Sequence, residues 1–155
     1  LRNCPKYQAV SYTWDRYDGD FGRVEKVFCG PDRDVVPVTR NCLAALQYLR
    51  RQYETRTLWL DMLCIDQSNA DERNHQVSLM KEIYFNASEV LIYMGESVEN
   101  FELISRLSWP GSNQKACLRD GADERRASLK AVKEFLSRRW FTRVWVLQEV
   151  AVARR

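Results

Sequence analysis

The chain has a single histidine, His75, and its five cysteines contain no Cys-x-x-Cys pair. Structural zinc sites combine cysteine and histidine at short, fixed spacings, so this composition argues against such a site and predicts no bound metal. A Gly-rich phosphate loop is also absent, because neither a Walker pattern nor Gly-x-Gly-x-x-Gly occurs. The common motifs of nucleotide-binding domains are therefore missing.

Long apolar runs and dense basic blocks are missing as well. No apolar run approaches the length of a membrane span. The net charge of +3 comes with scattered arginines, so we expect no nucleic-acid partner. Cys29, Cys42 and Cys64 each lie among apolar residues, which predicts buried thiols in a reducing cytoplasm.

The length of 155 residues suits one globular domain covering residues 1–155. The first residue is Leu1, and the pattern at the other end is still helical, so we expect a fragment of a longer protein.

Strand patterns alternate with helix patterns along the chain. Tyr7–Tyr12 alternates apolar and polar residues and predicts a first strand. The other predicted elements are a hairpin with strands 24–29 and 35–38, a helix 39–53, a strand 58–65, a helix 69–86, a strand 90–94, a helix 101–107, a loop 109–127 and a helix 127–138. Residues 141–153 fit either a strand or a helix. This order predicts an α/β fold, a three-layer sandwich with a mainly parallel sheet and an inserted β-hairpin.

Asp61 interrupts the apolar run that predicts the strand over residues 58–65. A strand covered on both faces is normally apolar throughout, and a buried carboxylate needs a partner. We expect Arg73 or Arg143 to be that partner.

Three segments have a distinctive residue order: YQAVSYTW at 7–14, LWLDMLCIDQ at 58–67 and RWFTRVWVLQE at 139–149. Together with Glu72, Arg73, Met80 and the pair Ile83-Tyr84, they resemble the fungal HET (heterokaryon incompatibility) domain. That resemblance implies a cytoplasmic domain of fungal allorecognition and programmed cell death. It also implies self-association or a partner sensor domain.

HET domains are in turn similar to TIR domains, and the run from Trp145 to Glu149 looks like the TIR run that carries the catalytic glutamate. The similarity implies a TIR- or flavodoxin-like sheet and a helix over residues 143–153. It also implies that Glu149 catalyses cleavage of NAD at the nicotinamide–ribose bond. NAD is then a substrate, and no cofactor is expected.

Ligands of open parallel sheets bind beyond the carboxyl ends of the strands. The predicted strand ends carry the candidate substrate-binding residues Ser11, Tyr12, Trp14, Asp66 and Gln67. Arg73 and Arg143 are candidates for contacting phosphate. Bond cleavage gives the ribose oxocarbenium character, which the Glu149 carboxylate would stabilise.

Structural roles compete with these assignments. Glu149 can favour a helix dipole or pair with an arginine, and Glu72 fits a capping box after Asn69. Trp59, Trp140 and Trp145 fit the core better than a ligand platform. A non-catalytic module that signals by homotypic assembly, with loop 109–127 and the arginine pairs as contact surface, is the alternative function. A third hypothesis is a thiol hydrolase that uses Cys64 and His75 as a catalytic dyad, and the absence of evident oxyanion donors argues against it.

Overall fold

The computed structural model describes residues 4–15, 21–95 and 122–153. Its elements, in chain order, are β1 (Gln8–Tyr12), β2 (Glu25–Cys29), β3 (Asp34–Val38), α1 (Arg40–Leu49), β4 (Leu58–Trp59), α2 (Asp61–Cys64), α3 (Ala70–Asn86), β5 (Glu89–Tyr93), α4 (Ala122–Leu136), a 3₁₀ turn (Arg139–Thr142) and α5 (Val146–Ala151). The described residues fall into two compact units, one of residues 4–15, 21–95 and 143–153 and one of residues 122–142.

The larger unit contains a parallel sheet of three strands in the order β4-β1-β5. β1 pairs with β5 from Gln8 opposite Glu89 to Tyr12 opposite Tyr93, and it pairs with the start of β4 at Leu58. Because β1 is central and all three strands run the same way, their carboxyl ends lie at one edge. The predicted first strand and the predicted parallel sheet are both confirmed.

Both faces of this sheet are covered, which follows from the alternation of side chains along β1. Val10 and Tyr12 pack on one face against Cys42 and Ala45 of α1. Ala9, on the opposite face, belongs to a second core cluster that is supplied mainly by α3. The described fold is therefore α/β, with helices on the two faces of a parallel sheet, as the sequence predicts.

The second core cluster consists of six buried residues, of which α3 supplies three. They are Tyr7, Ala9, Met80, Ile83, Tyr84 and Ala87.

β2 and β3 form the predicted hairpin and pair only with each other in the part of the chain that the structure describes. The turn between them has positive φ at Gly30 (70°) and at Arg33 (56°). Glycine enters this left-handed region without a steric cost, which explains its place at the hairpin turn. Val38, at the end of β3, is fully buried in the cluster that contains α1.

The strand predicted over residues 58–65 is wrong beyond Trp59. Helix α2 begins at Asp61 instead, and Asp61 Oδ1 accepts a hydrogen bond from the Met62 N–H at 2.8 Å. A carboxylate in a first helical turn satisfies a free N–H and suits the helix dipole. A short apolar run does not by itself distinguish a strand from a buried helical turn, so the embedded aspartate was the informative residue.

Two further boundaries and two of the cysteines differ from expectation. The helix predicted to reach Tyr53 ends at Leu49, and Tyr53 is 88% exposed. α4 begins at Ala122, so residues 122–127 are helical where a loop was predicted, and the rest of that predicted loop, residues 109–121, lies outside the described residues. Residues 146–151 are helical, as the TIR resemblance implied. The helix predicted over residues 101–107 lies outside the described residues. Cys42 is buried as predicted, whereas Cys29 is only half-buried and Cys64 is exposed.

None of the helices in the described ranges is long and apolar enough to cross a membrane.

Thr39 provides the N-cap of α1, and its replacement tests how far this cap stabilises the fold. The buried Thr39 hydroxyl accepts a hydrogen bond from the Cys42 N–H at 3.2 Å. Thr39→Ala removes the acceptor, so we expect the free energy of unfolding to fall by about 1–2 kcal/mol in urea denaturation. Thr39→Ser keeps the hydroxyl and should recover most of the loss. Equal stability of the alanine and serine variants would contradict the capping role.

Candidate active site

Glu149 lies in the first turn of α5, and its side chain is almost completely buried, with 1% exposed. Its Oε2 accepts a hydrogen bond from the hydroxyl of Ser11. Arg143 Nη2 donates to Oε1 at 3.2 Å, and Nη1 lies 3.5 Å from Oε2. We call Ser11, Arg143 and Glu149 the carboxylate cluster. Its three side chains come from β1, from the segment before α5 and from α5 itself.

The local fold brings these residues together for identifiable reasons. Ser11 is fully buried near the end of the central strand, and a small hydroxyl at this position leaves room for a carboxylate above the sheet. α5 packs against α3, and Val152 contacts the core cluster that contains Ala9. Arg143 also donates to the carbonyl oxygen of Tyr12, so it connects the end of β1 to Glu149.

Burial dominates the electrostatics of the carboxylate cluster. It raises the pKa of Glu149, and the nearby Arg143 guanidinium and the Ser11 hydroxyl only partly oppose that rise. The neighbouring phenol of Tyr84 donates to the Val10 carbonyl at 3.2 Å. Its pKa is raised by burial and further by the charge of Glu149. Ionised groups in such surroundings interact strongly because little water screens them.

A second group of polar side chains lies around Asp61. Trp14 Nε1 donates to Asp61 Oδ2 at 2.8 Å, so the indole occupies the place predicted for an arginine. The Asp61 pKa is raised by burial, which the Trp14 hydrogen bond and the charge of Arg143 oppose. The buried Tyr12 phenol lies beside Cys42 and Asp61, and its pKa is also raised by burial. Burial raises the pKa of the Cys42 thiol to about 11.

Asp66, Gln67 and Arg73 belong to the connection between α2 and the start of α3. Asp66 is exposed, and its Oδ1 accepts from the Ser68 hydroxyl and N–H, which lowers the pKa of Asp66. Gln67 Nε2 donates to the Asp61 carbonyl at 2.9 Å, and Arg73 Nη1 donates to the Gln67 carbonyl at 3.1 Å. The structure thus brings Gln67 next to Asp61, whereas Asp66 and Arg73 hold the connecting segment.

The capping box predicted for Asn69 and Glu72 is only half formed. Asn69 caps α3 by accepting from the N–H groups of Asp71 and Glu72. Glu72 does not complete a capping box, because its Oε1 accepts from the Asp66 N–H at 3.1 Å.

The three tryptophans predicted to lie in the core differ in how exposed they are. Trp140 is buried, and Trp59 packs edge-on against Tyr84 with ring centroids 5.7 Å apart. Trp145 is 42% exposed, so its assignment to the core was wrong.

Asn41 has a structural role that the sequence pattern did not predict. Its buried Nδ2 donates to the Thr13 carbonyl at 2.5 Å and to the Thr13 hydroxyl at 3.0 Å. These bonds fix the segment that leaves β1 toward Trp14. The available signal was an amide directly before Cys42, in the first turn of α1.

The described residues contain no group of three or more histidine, cysteine, aspartate or glutamate side chains arranged to hold a metal ion. The charged groups described near the carboxyl end of β1 include the guanidinium of Arg143 and the carboxylates of Asp61 and Glu149. Such a set can stabilise a positive charge or accept hydrogen bonds from hydroxyl groups.

A double-mutant cycle tests the pairing of Arg143 and Glu149. Arg143→Met leaves the buried carboxylate without its cation, and we expect a loss of roughly 2–3 kcal/mol in the free energy of unfolding, because the arginine side chain is only 21% exposed. The double variant with Glu149→Gln should lose about 1–2 kcal/mol less than the sum of the single losses. Strict additivity in urea denaturation would show that the two side chains do not interact.

The raised pKa of Glu149 gives a pH dependence with a definite sign. Because the folded chain holds this proton more tightly than the unfolded chain, the contribution of Glu149 to stability is full at low pH and declines as pH rises through the folded pKa. The stability difference between the parent chain and Glu149→Gln should therefore shrink from pH 5 to pH 8. The exposed Glu82, changed to glutamine, serves as control. A difference that grows with pH would contradict the assignment.

Comparison with known proteins identifies the family. The chain matches the family described as "Heterokaryon incompatibility protein (HET)" over residues 7–149. It is 34% identical over 107 residues to "Heterokaryon incompatibility protein 6, OR allele" of Neurospora crassa, an alignment that covers 62% of this chain and 15% of the relative. No solved structure matches it. The residues in the match include Ser11, Arg143 and Glu149, and the chain belongs to the heterokaryon incompatibility (HET) family.

Proposed function

We propose that this chain is a signalling domain of heterokaryon incompatibility that triggers cell death when it is activated. The family match over residues 7–149 and the named Neurospora crassa relative support this role. The chain spans 15% of the length of that relative. The described cysteines Cys4, Cys29, Cys42 and Cys64 are free thiols, which suits a reducing cytoplasm.

The chemistry that we propose for the activated domain is cleavage of NAD between nicotinamide and ribose. The observation that carries it is the position of Glu149, a carboxylate beside Ser11 near the carboxyl end of the central strand. Ligands of parallel α/β sheets bind at this edge. A carboxyl group at this edge whose pKa is raised by burial is a functional candidate on physical grounds.

Glu149 would act on the sugar, and its neighbours would assist. The developing oxocarbenium ion of the ribose would be stabilised by the carboxylate while nicotinamide leaves as a neutral group, and water would then add to the ribose carbon with loss of a proton. Arg143 would contact phosphate after releasing Glu149, and Tyr12 and Trp14 would line the base or ribose site. The remaining candidates for substrate binding lie on the connection between α2 and the start of α3. They are Asp66, Gln67 and Arg73. The parallel order around β1 and the helical α5 support the proposed kinship with TIR- and flavodoxin-like folds.

Burial of the carboxylate sets a condition on this chemistry. Glu149 is 1% exposed and bonded to both Ser11 and Arg143, so a substrate reaches it only after these contacts rearrange. We therefore expect weak turnover by the isolated chain and stronger turnover when copies are brought together by self-association or a sensor partner.

The same burial favours a second candidate function, signalling by assembly without catalysis. In that case the carboxylate cluster holds α5 on the sheet, since a buried ion pair with a hydroxyl donor can serve structure alone. The two candidates differ in whether Glu149 touches a substrate.

Nicotinamide release from NAD separates them. We expect the parent chain, clustered through a fused oligomeriser, to release nicotinamide and Glu149→Gln to lose about a hundredfold or more of that rate. Glu82→Gln is the matched control on an exposed helical position. Thermal unfolding of each variant separates loss of the active group from loss of the fold.

Ser11→Ala adds a second test, because it removes one hydrogen bond to Glu149 but leaves the carboxylate in place. It should retain far more activity than Glu149→Gln. Absence of nicotinamide release by the clustered parent chain, together with full cell-death activity of Glu149→Gln in the fungus, would reject catalysis and support assembly.

A further inference from the structure

The larger unit carries an apolar groove at the amino-terminal end of the sheet, away from Glu149. Its volume is about 380 Å³, which lies in the range of ligand pockets. Leu58, the first residue of β4, lines it, and Arg56 at its border donates to the side chain of Gln8, the first residue of β1. Glu149 contacts Ser11, near the other end of β1. The groove is therefore distinct from the carboxylate cluster.

The floor of the groove consists of aliphatic side chains that are only partly buried. They are Val27, Leu43, Leu46, Leu49 and Leu58, contributed by β2, α1 and β4. Each is in contact with the main core cluster on its inner side. Covering their outer sides would remove further apolar surface from water, at roughly 25 cal/mol per Å².

The border of the groove is positively charged. Lys26, Arg50, Arg51 and Arg56 line it, with Glu54 as the only acidic residue among the lining side chains. Glu54 is paired with Arg51 at 2.5 Å, and Arg56 is held by the carbonyl of Leu49. Within the described ranges, the side chains of Lys26 and Arg50 make neither a hydrogen bond nor an ion pair, so two exposed cations remain available to an incoming anion.

We propose that this groove binds an acidic, leucine-rich segment of a partner protein. The partner's apolar side chains would cover the leucine floor, and its carboxylates would pair with Lys26 and Arg50. The two available cations come from different elements, Lys26 from β2 and Arg50 from the end of α1, so they suit two carboxylates spaced along a peptide. A single head group of an anionic amphiphile would use fewer of them. The half-exposed floor also suits one face of an amphipathic segment, which leaves its other face in water.

A labelled model peptide tests the proposal on the full chain. The probe is about twelve residues long, three to four helical turns, with leucines on one side and glutamates on the other. We expect saturable binding by fluorescence anisotropy that weakens as salt is raised, because the contacts include charge pairs at an exposed border. Replacing the leucines of the probe by serine should abolish binding, as should replacing its glutamates by lysine.

Charge reversal on the protein supplies the matched comparison. Lys26→Glu with Arg50→Glu should raise the Kd for the acidic probe by about tenfold or more, whereas Lys81→Glu, on the exposed side of α3, should leave it within about twofold. Thermal unfolding confirms that each variant is folded.

Three results would overturn the proposal. They are absence of saturable binding to the parent chain, an unchanged Kd in the doubly reversed variant, or binding of dodecanoate where the acidic peptide does not bind. The last result would assign the groove to an anionic amphiphile instead.

Discussion

The buried carboxylate of Glu149 is the constraint on which the arrangement of this domain depends. A charged group with 1% exposure requires compensation, and Ser11 and Arg143 provide it from two sides. Because Ser11 belongs to the central strand and Arg143 also binds the Tyr12 carbonyl, the same contacts hold the end of β1, the segment before α5 and α5 together. The carboxylate cluster therefore holds this edge of the sheet together.

Short sequence patterns predicted most of the fold, because most helices and strands have a residue pattern or a capping residue of their own. The alternation at Tyr7–Tyr12, the caps Thr39 and Asn69 and the apolar stretch 90–94 all correspond to observed elements. The strand predicted over residues 58–65 was wrong for a physical reason. The apolar residues there indicate a buried segment, and both strands and helices can be buried. The residue that marks the start of the helix is Asp61, which was interpreted as a carboxylate within a strand. The end of α1 was missed because Tyr53 resembles a core residue but is exposed.

The candidate site was predictable in part. Ser11 and Tyr12 were candidates because they lie at the end of the predicted first strand, and Glu149 was a candidate through the resemblance to TIR domains. The structure brings Ser11 and Glu149 into contact. The pairing of Trp14 with Asp61 was not predictable, because a side-chain hydrogen bond across 47 residues leaves no local pattern. The role of Asn41 was missed for the same reason. Arg143 was expected near Asp61 or phosphate, and its direct hydrogen-bonded contacts are with Glu149 and Tyr12.

Titration of the Glu149 side chain tests the central claim most directly. The ¹³C shift of its carboxyl carbon, followed by NMR across pH with Glu149→Gln to assign the signal, reports the protonation of this one group in the folded chain. A carboxyl that is buried between Ser11 and Arg143 should titrate above the ordinary glutamate pKa of 4.5. A midpoint at or below that value would contradict a buried carboxylate whose desolvation outweighs its ion pair.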